Sequence, residues 1–201
     1  LRNGFRRSQN IAYSPHCDGC NACVSVRVLA REFAPRRSMR RTIEVNRDIV
    51  ARRVPSVPTS EQYSLFGAYV DGRHGDGGMT EMSLLDYFTM VEDSIIDTML
   101  TEYRVHPPGA LPSEFSRWPL VGVVLTDRLG DGLSMVYSFY EPDCPERSLG
   151  THMILEHIEH ARALGVDYVY LGYWIEESRK MSYKSRFQPQ EQLTTRGWVR
   201  R

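Results

Sequence analysis

Three of the four cysteines fall within eight residues, His16 to Cys23, in the string HCDGCNAC. Cys17, Cys20 and Cys23 put three thiols on one tight loop, with Gly19 and small neighbours permitting the turns. Zinc or an iron–sulfur cluster would need a fourth ligand, and the ferredoxin spacing finds none in Val24–Arg27. His16, the distant Cys144 or a cysteine upstream could serve; reduced thiols under a loop would read the same way. A second set is cationic. The chain holds 25 Lys and Arg, yet Lys180 and Lys184, four apart in KMSYK, are its two lysines. A compact ammonium differs from arginine's flat fork, so their clustering marks a place where that shape is wanted. A third set, Arg73 and His74, stands beside the glycine-rich GDGG. A neutral imidazole there could take a proton near pH 7, and an arginine could meet a carboxylate.

The string RSLGTH, at the start of a predicted helix, offers Arg147, Gly150 and Thr151. It matches five of six positions of the pyrophosphate loop of GNAT acetyltransferases, with His152 where Gly or Ala is expected. A helix N-terminus presents unpaired N–H groups to an anion. An ordinary Ser-capped helix explains the same string, and His152 suggests a donor other than coenzyme A.

Positioning these groups requires several elements. CVSVRVLA alternates as a strand. VPSVPTS (54–60) reads as a linker. Ser60 can cap a helix running to His74, and Ser83, with Asp86 three residues on, opens another. TMLTEYRV is a predicted strand; LVGVVLTDRL and LSMVYSFYE form a hairpin about the GDG at 130–132. Ser148 is expected to cap a helix with Met153, Ile154, His157, Ile158 and Ala161 on one face and Gly165 at its end. DYVYLGYWI is a final long strand. This order predicts an α/β (α+β) domain over 56–201, preceded by a cysteine-containing, Arg-rich region over 1–55.

At 201 residues the chain can bury a sizeable core, and its 41% hydrophobic and 25% charged content is that of a globular protein. No apolar run approaches the roughly 20 residues of a membrane span. Few cysteines, three of them clustered, argue against a secreted disulfide framework, so a cytoplasmic protein is expected. Zero net charge hides segregation. Arg27 to Arg53 holds nine arginines against Glu32, Glu44 and Asp48, a surplus of six. That surplus is either a solvated face or a surface for phosphates. Aromatic residues are absent from 35 to 57, so backbone contact to a folded RNA fits better than base stacking.

Six blocks, YSPHCDGCNACVSVRV, RRSMRR, RHGDGGM, DGLSMVYSFYEPD, RSLGTHMILEHI and YVYLGYWIEESRKMSYKSRFQPQEQL, carry a wider resemblance. In order and over nearly the whole chain, it resembles the bacterial aminoacyl-tRNA–protein transferases, the aspartate/glutamate leucyltransferases and their arginyl-transferring relatives. Those begin with a further Cys-containing segment, so a chain lacking its N-terminal segment is expected. The resemblance implies a GNAT-like fold and transfer of leucine or arginine from aminoacyl-tRNA to the α-amine of proteins beginning with Asp or Glu, marking them for N-degron degradation. It implies no cofactor for the chemistry, because aminolysis of an activated ester is downhill, and a cluster or zinc at the cysteines in some relatives. It also implies that two splayed strands, SMVYSFY and YVYLGYWI, leave a gap for the acyl carbonyl. Tyr137, Tyr140, Tyr170 and Tyr173 alternate so that some hydroxyls enter that gap, with core packing as the plainer explanation. Arg73, Lys180 and Lys184 become the cations for an acidic acceptor or the tRNA end, and His74 and Tyr173 the catalytic candidates. A monomer binding aminoacyl-tRNA and the protein N-terminus is expected, with no membrane. Two other readings are a GNAT/FemABX-like acyltransferase with another acyl donor, and a non-catalytic RNA- or protein-binding module.

Overall fold

A computed structural model describes residues 2–74 and 82–201, the side chains of 73 and 74 excepted. Ten strands and four α-helices follow one another along the described chain. A hairpin, β1 (Arg6–Ser8) with β2 (Ile11–Tyr13), precedes β3 (Val24–Leu29), α1 (Arg37–Val45) and β4 (Ile49–Pro55). Then come α2 (Ser60–His74), α3 (Leu84–Glu92), β5 (Thr98–Val105), β6 (Leu120–Leu129) and β7 (Gly132–Tyr140). The chain closes with α4 (Leu149–Ala163), β8 (Tyr168–Trp174), β9 (Gln190–Thr194) and β10 (Gly197–Arg200).

Eight strands make one sheet in the order β10-β9-β3-β8-β7-β6-β5-β4. One neighbouring pair, β7 with β8, is parallel; a strand, a crossover helix and a parallel strand is the βαβ unit, here β7-α4-β8. β3 slots between β8 and β9, and β4 forms an edge beside β5. The strands on either side of residues 55 and 56 therefore share one sheet, although the Pro-containing linker does separate them in sequence.

Helices cover both faces. α4 lays Met153, Ile154, Ile158 and Ala161 over Val26, Val28, Leu133 and Val169. On the other face α2 and α3 bury Phe66, Val70, Tyr87 and Val91 against Leu100, Val123, Leu125 and Phe139. Burying a side chain of this size contributes about 1.5–3 kcal/mol, so these two layers dominate the stability of the sheet.

Two helix starts differ from the sequence expectation. At α2 the cap is Thr59, not Ser60: Thr59 Oγ1 accepts from Gln62 N, while Thr59 N donates to Gln62 Oε1. At α4, Ser148 lies in the left-handed region at φ +50° and its hydroxyl caps nothing. The Ser83–Asp86 capping box at α3 forms as expected.

Candidate active site

The parallel pairing of β7 with β8 runs from Gly132/Tyr168 to Ser134/Tyr170 and then stops. Both strands carry an extra residue at that point. Leu125 faces Tyr137 and Thr126 faces Met135, so Val136 is the bulged residue of β7. Val26 faces Gly172 and Arg27 faces Tyr170, so Leu171 is the bulged residue of β8. Two facing bulges bend the strands apart, and the gap widens toward the N-terminus of α4.

A cavity of about 680 Å³ fills this space. β7 lines it with Met135 to Ser138 and Tyr140, and the start of α4 with Ser148 to Thr151. Lys180, Met181, Tyr183 and Lys184 supply a third wall, with Arg6 from the hairpin. Because the Ser148 side chain does not cap α4, the Leu149 and Gly150 N–H groups are given no main-chain acceptor among the described residues. They stand at the cavity as donors for an anion, aided by the helix dipole. Gly150 fits here for a steric reason. A Cβ there would come within 3.1 Å of Cε1 and the hydroxyl of Tyr140, the ring that closes this end of the cavity.

Of the residues expected from sequence, Tyr137, Gly150, Thr151, Lys180 and Lys184 come together on this cavity. Lys184 Nζ donates to the Tyr173 carbonyl at 2.5 Å, and burial pushes its pKa down to about 8, with the charge of Arg6 adding to the shift. Burial raises the Tyr137 phenol to about 12, so it stays protonated and can donate.

Others lie elsewhere. Arg147 turns away and binds Asp48 through two contacts of 2.9 Å, holding that carboxyl below its usual range. Asn46 adds a bond from Nδ2 to the Arg147 carbonyl at 2.7 Å. Arg147 thus ties the N-terminal region to the front of α4. Tyr173 is not on the cavity: its hydroxyl donates to Gly4 O at 2.8 Å and reaches Tyr13 O at 3.3 Å, anchoring the hairpin. Tyr170 lies between Arg27 and Asp131, bonded to each at 3.0 Å. His152 packs edge-on against Tyr103, and burial lowers its pKa. The side chains of Arg73 and His74 lie outside the described residues.

Cys17, Cys20 and Cys23 are exposed, with Cys20 N donating to Cys17 O at 3.1 Å across a turn. Among the described residues no three His, Cys, Asp or Glu side chains converge to hold a metal ion. No helix among the described residues is long and apolar enough to cross a membrane.

The cavity residue that sequence reasoning missed is Arg6. Its Nη2 donates to Met135 O and Val136 O, both at 3.0 Å, filling hydrogen bonds the splayed strands cannot make to each other. Its guanidinium lies on Gly172, where φ is +78° and a Cβ would meet Arg6 Cζ at 2.7 Å. That glycine was the available signal. In a tyrosine-rich strand interior, a glycine marks the close approach of another group.

Solved structures with this arrangement include FemX, at TM-score 0.56 and 11% identity over 88% of this chain and 59% of that one. The structure of L-PGS from Bacillus licheniformis gives 0.54 and 12%, over 77% of this chain and 46% of that one. These neighbours show the GNAT-like acyltransferase fold expected from the sequence. Residues 1–41 match the family model "Arginine-tRNA-protein transferase, N terminus" and residues 61–194 its C-terminal counterpart. An aspartate/glutamate leucyltransferase of Sinorhizobium medicae is 56% identical over 199 residues, 99% of this chain and 77% of the relative. One from Nitrobacter hamburgensis is 60% identical over 197 residues, 98% and 76% of the two chains. The chain is therefore an aminoacyltransferase and belongs to the arginine-tRNA–protein transferase family, which moves an amino acid from aminoacyl-tRNA to a protein N-terminus.

Proposed function

We propose that the protein transfers leucine from leucyl-tRNA to the α-amine of proteins that begin with Asp or Glu, marking them for N-degron degradation. The observation that carries this reading is the cavity between the β7/β8 splay and the open N-terminus of α4, in a chain of this family. An aminoacyl ester placed across the splay would present its carbonyl to the acceptor amine. The neutral amine attacks the ester carbon, the bond to the ribose oxygen breaks, and the proton lost from nitrogen ends on that oxygen. Aminolysis of an ester is downhill, so alignment and charge stabilisation are what the residues must supply. The phenol of Tyr137 and the N–H groups of Leu149 and Gly150 are donors on that path.

Leucine is favoured over arginine by the lining. Met135, Leu149, Ile154, Leu171 and Met181 offer an apolar surround, and the one carboxylate lining the cavity among the described residues, Glu141, already accepts from Asp143 N. The two relatives named above both carry the leucyltransferase name. The enzyme acts as a monomer in the cytoplasm, where aminoacyl-tRNA is found. His74 remains the proposed proton acceptor, and Cys17, Cys20 and Cys23 the proposed ligands of a zinc ion or cluster that the transfer itself does not need. The Arg-rich stretch within 1–55 serves the tRNA, and transfer takes place on 56–201 with Arg6 at its edge.

The test is to supply labelled leucyl-tRNA or arginyl-tRNA with peptides starting in Asp, Glu or Ala. Leucine should appear on the Asp and Glu peptides and not on Ala. Arginine transfer would reassign the donor. No transfer, with stabilisation by coenzyme A, would favour an acyltransferase of another kind.

A further inference from the structure

Arg6 and Lys184 share one wall of the cavity with Lys180, and among the described residues no carboxylate pairs with Arg6 or Lys184. Arg6 gives Nη2 to the Met135 and Val136 carbonyls, and among the described residues its Nε and Nη1 bond to nothing. Lys184 gives Nζ to the Tyr173 carbonyl, and its charge feels that of Arg6. A carboxylate whose charge acts on Arg6, Asp127, is consumed by the neighbouring Arg7 through contacts of 2.9 and 2.6 Å, and Thr98 Oγ1 donates a further bond to it. Burial presses the pKa of Arg6 below its ordinary value. Like charges held together in a partly desolvated wall cost free energy, which an incoming anion would relieve. Elsewhere the chain pairs its buried arginines carefully: Arg7 with Asp127, Arg27 with Glu191, Arg104 with Glu61 and Glu102. The exception is at the cavity.

We propose that Arg6 and Lys184 together form the subsite that receives the acidic side chain of the acceptor's first residue. The proposal rests on the function argued above and names residues for it. A carboxylate suits the geometry because Arg6 Nη1, unused among the described residues, and the Lys184 ammonium can each donate to one of its oxygens. The other anion in the reaction, a phosphate near the tRNA 3′ end, has the open N-terminus of α4 as its own donor set. Arg6 is delivered by the β1–β2 hairpin, which Arg7 locks to Asp127 and Tyr173 holds through Gly4 and Tyr13. The hairpin thus belongs to acceptor recognition as well as to the N-terminal region.

The experiment compares kcat/KM for peptides identical except for Asp or Asn at the first position, using Arg6→Met and Lys184→Met. Each substitution should lower the rate on the Asp peptide by about 30-fold or more, as for one lost partner of a hydrogen-bonded charge pair. The rate on the Asn peptide should stay within about threefold, so the preference collapses. Since Arg6 also bonds two strand carbonyls, Arg6→Gln and the Lys184 variant guard against loss of fold, with melting temperature as the control. A preserved Asp-over-Asn ratio in folded Arg6→Gln and Lys184→Met overturns the proposal. So does an equal loss on both peptides with weakened, salt-dependent leucyl-tRNA binding, which would assign the pair to a phosphate. If the wild type transfers nothing, calorimetry with the same two peptides still decides. Tighter binding of the Asp peptide that is lost in both variants supports the subsite, and equal binding of the two peptides rules it out.

Discussion

Lys184 meets a main-chain carbonyl as its acceptor and an arginine as its neighbouring charge, with the Tyr183 ring 6.0 Å from Nζ. Its folded pKa, about 8, lies below the ordinary 10.5. The charged form is therefore disfavoured by folding, a penalty fully present below about pH 8 that fades as pH rises toward 10.5. Lys184→Met should melt higher than wild type at pH 7, by a few degrees at about 2–4 °C for each kcal/mol. The gap should close by pH 10. Melting curves that differ equally at both pH values would show that the ammonium carries no such penalty. Both lysines could be singled out from composition, because a chain so committed to arginine places its lysines in one pentapeptide. Arg6 could not: RR at a hairpin gives no hint which arginine pairs with Asp127 and which faces the cavity.

At the scale of the element, the front of α4 and the two bulges decide the site. Gly150, three residues after Arg147, suits its place for a steric reason, because Tyr140 lies against it. Gly150→Val should drive that ring into the cavity and lower transfer by about 100-fold, the scale of an ångström of misplacement, with the fold retained. Gly150→Ala, whose single methyl needs a shift of a few tenths of an ångström, should lose far less. Similar rates for the two variants would mean the Tyr140 ring is not part of the reaction path. The strands β3, β5, β6, β7 and β8, the β6–β7 hairpin and the α3 capping box were legible because their signals are local, whereas β1, β2, β4, β9 and β10 were not expected. The left-handed Ser148 and the bulges at Val136 and Leu171 were not, since each is set by strands far apart in sequence.

Across the whole molecule, the charge surplus of Arg27–Arg53 divides into two populations. Arg27 is buried between the rings of Tyr168 and Trp198 and paired with Glu191, Arg52 binds Pro112 O, and Arg53 pairs with Glu156. Arg36, Arg37, Arg40 and Arg41 are exposed at the start of α1, which packs beside α4 with its C-terminal end toward Arg147. Replacing these four by Gln should weaken tRNA binding and lower the slope of log K against log salt by about 3, at roughly 0.7–0.9 per phosphate contact. An unchanged slope would make them a solvated face. A basic stretch was visible in the sequence. Its division was not, because the partners of Arg27 and Arg53 lie more than a hundred residues away. The insertion of β3 between β8 and β9 escaped for the same reason.

The central claim is that the cavity between the β7/β8 splay and the start of α4 is where ester and amine meet. The most direct measurement is a crystal structure with a stable leucyl-amide analogue of the tRNA 3′ end. The leucyl carbonyl should lie over the bulge at Met135–Tyr137, its side chain against Ile154 and Leu171, and a phosphate at the N–H groups of Leu149 and Gly150. An analogue bound at full occupancy elsewhere, with this cavity unoccupied, would contradict the account.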